Sequence, residues 1–330
     1  MKLYLRFLYF LKPHWKLVLF AISSMLITIV MTFTHPLITK HIIDQILLPA
    51  VQQKSESQKS LFALYTFASL LILVFLVENF AGFLYRYFRT FTERATIHDF
   101  RNKIYLTIKT IPDDFLKEKG LGDIMSRNIA DVESTSSFFR VLINSVRDIV
   151  SIAGIITILF WQDWKIAVLC IVVALFLIPI VLRLASAIRR DFLLALDARG
   201  ILNHFLFGKL LPSEPNGTLV INQSEESEIF NNKSEVFKQH NVNIGKLFAM
   251  LFAMTGFVIA TTSVIIWIYG GRQILDGQLT IGTLTLLLQY SSRFGESVKN
   301  LGQNYGIIQR LNAPLQRIFE VINLIDLEKS

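Results

Sequence analysis

Six histidines, one cysteine and 25 carboxylates are the side chains with which this 330-residue chain could do acid–base, nucleophilic or metal chemistry. Their spacing assembles none of the usual sites. His14, His35, His41, His98, His204 and His240 are scattered, and no two stand four apart, as a metal-binding pair on one helix face would need. Cys170 is alone inside an apolar run. It excludes a disulfide within the chain and a multi-cysteine metal site, and it reads as a small core- or lipid-facing hydrophobe. A phosphate-cradling loop needs GxxxxGK followed by Ser or Thr. The only Gly-Lys pairs are Gly208-Lys209 and Gly245-Lys246. Neither is followed by Ser or Thr, and Asn203 and His240 stand where the leading Gly belongs. The expectation is no catalytic residue, no metal and no cofactor site on this chain.

The residues that could do other work are polar ones in apolar company. Glu78 closes a long apolar run, with Asn79 beside it and Gly82 four residues on. An acid inside a membrane span is a functional candidate by default, for contact with a substrate or a proton. The plainer alternative is a carboxylate near the interface, or one paired with Arg86 or another span. Thr255, Thr261, Thr262 and Ser263 sit in another apolar run, where hydroxyls line a cavity or bond between helices. Gly256 there would serve close packing. The polar, Gly-punctuated stretch KEKGLGDIMSRNIADVES, Lys117–Ser134, stands between two long charged segments.

The elements that must position these residues are helical and mostly apolar. Hydrophobic residues make up 52% of the chain, 27 of them Phe. That fits a polytopic membrane protein and not an ordinary soluble domain. Six apolar segments stand out: Leu17–Thr34, Leu61–Val77, Ile149–Trp161, Ile166–Leu182, Leu247–Tyr269 and Leu279–Tyr290. A span needs about 20 residues. The third and sixth are short and need weakly polar extensions, Val141–Ile149 and Ser291–Gly295. The turn WQDWK, Trp161–Lys165, carries interface-type aromatics between two spans. With both termini inside, the outer loops hold only Lys40, Lys54, Lys59, Lys165 and Arg272 of the 33 basic residues. That bias fixes an orientation, both termini cytoplasmic. It also accounts for the net charge of +8 without nucleic acid.

The inner segments are long. Arg86–Ile111 has no Pro or Gly and carries helix-spaced pairs such as Arg89/Glu93 and Asp99/Lys103. Its 26 residues would reach about 39 Å as a helix, and Pro112 ends it. Ser126–Asp148 leads back into the third span. The two read as antiparallel stalks continuing the spans beyond the bilayer. Arg183–Lys246 reads as a second projection, with its tip near Pro212–Gly217. The first 16 residues mix Leu and Phe with Lys2, Arg6 and Lys12 and end at a Pro13 bend, which reads as an interfacial helix on the inner leaflet.

Five pieces of this sequence, in order, resemble the transmembrane domain of an ABC exporter, and together they run over nearly the whole chain. FLKPHWKLVLF, Phe10–Phe20, is similar to that family's elbow and bend. PLITKHIID, Pro36–Asp44, resembles the end of its first helix. FLKEKGLGDIMSRNIADV, Phe115–Val132, resembles its first coupling helix. Gly270–Tyr290 resembles the entry to its sixth helix, and Leu301–Ile322 the helix leading toward the nucleotide-binding domain. One region departs. In the family the second coupling helix usually follows a run that ends in Lys-x-Phe; the matching region here, Pro212–Phe230, lacks the Lys-x-Phe segment, is about two residues shorter, and has a Pro on each side of Ser213-Glu214, which disfavours a continuous helix.

The resemblance implies an all-α fold of the ABC exporter type. Six transmembrane helices with long cytoplasmic extensions occupy residues 17–320. An elbow helix precedes them at 1–16, and 321–330 start a linker toward a nucleotide-binding domain. It implies docking of that partner on Phe115, Leu116, Gly120, Gly122, Asp123, Ile124 and Arg127, and on a second segment at Glu214, Asn216, Gly217 and Thr218. A substrate pathway would then pass Glu78, Asn79, Thr255, Thr261 and Thr262. ATP and Mg would be bound by the partner, on another polypeptide or a C-terminal part outside these 330 residues. A second transmembrane domain, identical or homologous, would complete the pathway in a bacterial-type cell membrane. Whether the chain counts as an enzyme is left open, since the ATPase motifs are absent and only the assembled complex would be an ATP-driven translocase. Two other readings keep the same elements. One is a non-transporting scaffold or regulator, which the missing ATPase motifs and the altered second segment favour. The other is an ATP-independent carrier or channel, which would call for a more polar interior than one prominent Glu supplies.

Overall fold

The computed structural model describes residues 9–53, 57–108, 132–210 and 223–328. Both proposed docking segments, residues 115–127 and 214–218, lie outside the described residues, as do residues 1–8 of the amphipathic N-terminus. Among the described residues the chain is helical. A 3-10 turn, Lys12–His14, leads into α1, Trp15–His41. A π-helical stretch, Ile42–Leu47, follows and passes into the short α2, Leu48–Gln53. Then come α3 Ser57–Ile108, α4 Val132–Gln162, α5 Trp164–Leu210, α6 Gln223–Leu275 and α7 Ile281–Glu328. Pro13 sits in the 3-10 turn, where its missing N–H costs nothing. Pro36 lies inside α1 and Pro179 inside α5.

Five stretches are long and apolar enough to cross a membrane: Lys12–Val51, Ser60–Leu106, Ser137–Gln162, Trp164–Asn203 and Glu226–Leu275. The sixth expected span, within α7, does not reach that apolarity. The reason lies in its packing: Leu284, Leu286, Leu287, Tyr290, Ser291, Phe294 and Val298 are buried against neighbours, so fewer of its positions need to be lipid-compatible. On the other helices large apolar side chains are exposed, among them Phe62, Leu76, Phe176, Phe257 and Ile268. That outward apolarity suits a hydrocarbon surrounding.

The helices form two compact units. The first comprises residues up to Ala174 and from Ile259 onward; the second comprises Leu175–Val258. In the first, α3 runs unbroken for 52 residues, about 78 Å, far beyond a hydrocarbon core of about 30 Å. Its last turns pack against two other helices. Ile97, Phe100 and Ile104 are buried against Val132, Phe138, Phe139 and Ile143 of α4 and Leu311, Leu315, Ile318 and Phe319 of α7. Phe10 joins this core by stacking on Phe100 at 4.1 Å, with the Lys103 ammonium 5.2 Å from the Phe10 ring centre. Two helix-spaced pairs find tertiary roles. Arg89 turns to Asn144 of α4, and Asp99 lies 2.8 Å from His14 in the N-terminal bend.

In the second unit α5 and α6 pack through Ile188, Ala195 and Ile244, with Phe192, Phe237, Leu247 and Phe248 around them. In the first unit the turns before α5 and before α7 are tight. Asp163 caps α5, its carboxylate accepting from the Lys165 and Ile166 amides. Trp161 and Trp164 project from this turn, 87% and 60% exposed. Between α6 and α7 the chain reverses at Gly277, whose φ of 72° is the left-handed conformation glycine tolerates.

Candidate functional site

The polar side chains of the first unit fall in four levels along α1, α3, α4 and α7. In the π-helical stretch that follows α1, Asp44 reaches the N-terminus of α7. Its Oδ1 accepts from the Gly282 amide at 2.8 Å and its Oδ2 from the Thr280 hydroxyl at 2.6 Å. Thr280 in turn accepts from the Thr283 amide. The orphan amides of a helix start are thus satisfied from its own cap and from another helix. A Cβ on Gly282 would stand 2.6 Å from the Asp44 carboxylate, so only glycine admits the contact. Nearby, Lys40 donates to Gln162 at the end of α4.

Glu78 occupies the next level. The Thr32 hydroxyl of α1 donates to its Oε1 at 2.8 Å, while its Oε2 is buried and has no donor. His35, one turn along α1, lies against Phe75 with ring centroids 4.8 Å apart, and its Nδ1 is also buried without a partner. Both Glu78 and Arg293 of α7 act electrostatically on that imidazole. Tyr290 ties α7 to α1 by donating to the Phe33 carbonyl at 2.6 Å. Glu78 therefore bonds to another span, α1, and the described residues show no ion pair between it and Arg86. Asn79 is exposed and donates to the Phe75 carbonyl of its own helix. Thr262 is buried and Thr261 exposed, also in this unit. Thr255 belongs to the second unit, where its hydroxyl bonds back to Leu251 and Phe252. Cys170 is buried, its thiol 3.8 Å from the Ser291 hydroxyl.

A third level joins α3, α4 and α7 and went unforeseen. Tyr85 and Arg89 both donate to Asn144 Oδ1, at 2.7 and 3.0 Å. Arg89 also lies over the Tyr85 ring. Asp148 is 2% exposed and accepts from Arg147 at 3.0 Å, and Asn304 of α7 reaches its second oxygen at 3.5 Å. The only sequence signal was a charge pair, Arg147-Asp148, inside the polar extension of the third span.

At the fourth level the stalks are clamped. Glu133, at the start of α4, accepts from Arg94 at 2.7 Å and from Arg101 at 2.9 Å, two turns apart on α3. The Arg94 hydrogen bond holds the Glu133 carboxyl below its ordinary range, with the Arg101 charge adding to it. In the second unit His240 lies 3.7 Å from Asp191, and Lys233 sits over Phe205 beside a recess of about 380 Å³ lined also by Gly200 and Ile201. No group of three His, Cys, Asp or Glu among the described residues could hold a metal.

Comparison with known proteins gives this arrangement a context. A family model described as the ABC transporter transmembrane region matches residues 17–203 and 221–298. The chain is 24% identical over 323 residues to the "Putative multidrug export ATP-binding/permease protein YgaD" of Bacillus subtilis (strain 168), covering 96% of this chain and 54% of that protein. It is 24% identical over 332 residues to the ATP-dependent lipid A-core flippase of Acinetobacter baylyi, covering 98% and 54%. Against the flippase of the same name from Syntrophus aciditrophicus it is 23% identical over 330 residues, covering 98% and 53%. The chain spans about half the length of the curated relatives it matches.

Proposed function

The chain belongs to the ABC transporter transmembrane region family, and on that premise we propose that it carries the motion of partner ATP-binding domains into a substrate pathway through the membrane. It is an ABC exporter transmembrane domain, all-helical and multi-pass. These residues hold no phosphate-cradling loop, so ATP and Mg belong to ATP-binding domains on another polypeptide or on a C-terminal part outside these 330 residues. A second copy, or a homologous domain, completes the pathway. Both termini face the cytoplasm, in keeping with the charge bias. Substrate passes Glu78 and the hydroxyls of Thr255, Thr261 and Thr262. The relatives' names, multidrug export and lipid A-core flippase, agree with an amphiphilic cargo.

The observation that carries this reading is mechanical. One helix, α3, is continuous from Ser57 to Ile108, and Glu133, the second residue of α4, fastens its far part to that returning helix. A push on the segment between them, Phe115–Arg127, moves two spans as one body. Nucleotide need only be bound differently by the inward- and outward-facing states for that push to shift their equilibrium.

The test is ATPase stimulation in the complex of this chain with its ATP-binding partner. Gly122→Val and Asp123→Ala should each lower stimulation by about ten-fold, the scale of one lost interface hot spot, with helix content by circular dichroism unchanged. Stimulation and transport at the unsubstituted level in both variants would remove the docking role from this segment. The second segment, Glu214, Asn216, Gly217 and Thr218, should tolerate alanine better, because it lacks the family's Lys-x-Phe run.

A further inference from the structure

The Glu78 level is charged in a way that specifies what would fill it. Glu78 on α3 and Arg293 on α7 bear opposite charge, and His35 of α1 feels both. Tyr290 pins α7 to the Phe33 carbonyl. Arg293, three residues on, shares that helix face, and His35 follows two residues after Phe33 on α1. The two charges do not satisfy each other. Glu78 Oε2 is buried with no donor, and His35 Nδ1, one turn along α1 from Thr32, is buried with no partner. A buried carboxylate oxygen calls for a donor, and an unpaired charge in a low-dielectric setting calls for its counter-charge.

A ligand of one sign would pair one of these groups and leave the other bare. A head group with an N–H-bearing ammonium and an anionic oxygen pairs both. The ammonium supplies protons to Glu78 Oε2 and to His35 Nδ1 as acceptor, and the anionic oxygen accepts from the Arg293 guanidinium in a charge-assisted contact. Thr32 holds the other Glu78 oxygen, so the free one is fixed in place. We propose that Thr32, His35, Glu78 and Arg293 form a head-group site for a zwitterionic amphiphile whose ammonium carries hydrogens, as in phosphatidylethanolamine. The site rests on the reading of these helices as a substrate pathway and names the class of molecule that occupies it.

The experiment uses the whole chain, reconstituted in vesicles of equal parts phosphatidylethanolamine, phosphatidylcholine and phosphatidylglycerol, with co-purified lipid measured by native mass spectrometry. Phosphatidylcholine has the same charges but no N–H, and phosphatidylglycerol lacks the cation. The ethanolamine lipid should be retained over both. Glu78→Gln and Arg293→Gln should each cut its retention roughly ten-fold, the scale of one charge-assisted contact. Thr66→Ala, exposed on α3, serves as the unaffected control, and Glu78→Asp separates loss of charge from loss of fold. Equal retention of the three lipids, or full retention in the Gln variants, overturns the proposal. Since no nucleotide enters this measurement, its failure leaves the exporter reading standing. Conversely, loss of the coupling result above would leave the lipid selectivity intact.

Discussion

Asp44 caps a helix to which it does not belong. The contact joins the π-helical stretch after α1 to the start of α7 across 236 residues of sequence, and a truncated cap costs about 0.5–2 kcal/mol. Asp44→Ala should lower the thermal stability of the detergent-solubilised chain by that amount. Gly282→Ala should do nearly the same by another route, since its Cβ would stand 2.6 Å from the Asp44 carboxylate and expel it. The double variant should then be little worse than either single one, and a thermal-unfolding double-mutant cycle reads this directly. Full additivity would mean that the two residues act separately. At this scale the sequence was partly legible. Glu78 stood out because an acid in an apolar run is costly, and Asp44 lay within a piece resembling the family. The Tyr85–Arg89–Asn144 and Asp148–Asn304 contacts were hidden. Each joins residues 55 or more apart, and no local pattern marks which polar residue of one helix meets which of another.

The helices themselves were far more legible, because a run of apolar residues of bilayer length has few other uses. The span marked most faintly was the one in α7, short as an apolar run, whose buried Leu and Tyr positions let it stay polar elsewhere. Helix pairing was less legible still: the spacing of Arg89 and Glu93 suggested a pair within α3, whereas Arg89 meets Asn144 of α4. The stalk clamp gives this scale its own prediction. Glu133 is held below the ordinary carboxylate range by Arg94, so it is charged in the fold at any pH near neutral. Because its folded pKa is the lower one, the clamp contributes fully above the unfolded carboxylate pKa of about 4.3 and is lost as pH falls through the folded value. Both arginines are well exposed, at 59% and 44%, so each pair contributes only about 0.2–1 kcal/mol. Glu133→Gln should therefore melt slightly below the unsubstituted chain at pH 7, and the gap should close only in acid below about pH 4. A gap that widens on acidification would show that the carboxyl acts in its protonated form.

At the scale of the molecule, the charge distribution decides which end of each helix meets the cytoplasm. Lys and Arg crowd the long projections and are sparse at the short turns, and a translocated loop rich in cations is disfavoured. The structure supplies positions that make this testable residue by residue. Asp276 is exposed at the α6–α7 turn, whereas Asp197 and Lys238 are exposed along the second unit's projection. The native thiol will not interfere, because Cys170 is buried and burial of a thiol removes it from reagents that need a solvated thiolate. Single cysteines placed at the three positions should divide cleanly. Asp276→Cys should react with a membrane-impermeant maleimide in intact cells. Asp197→Cys and Lys238→Cys should react only after permeabilisation. If Asp197→Cys labels from outside, the stalks point away from the cytoplasm, and no ATP-binding partner could reach the Phe115–Arg127 segment. The orientation and the coupling role thus stand or fall together in one labelling experiment, whatever the cargo.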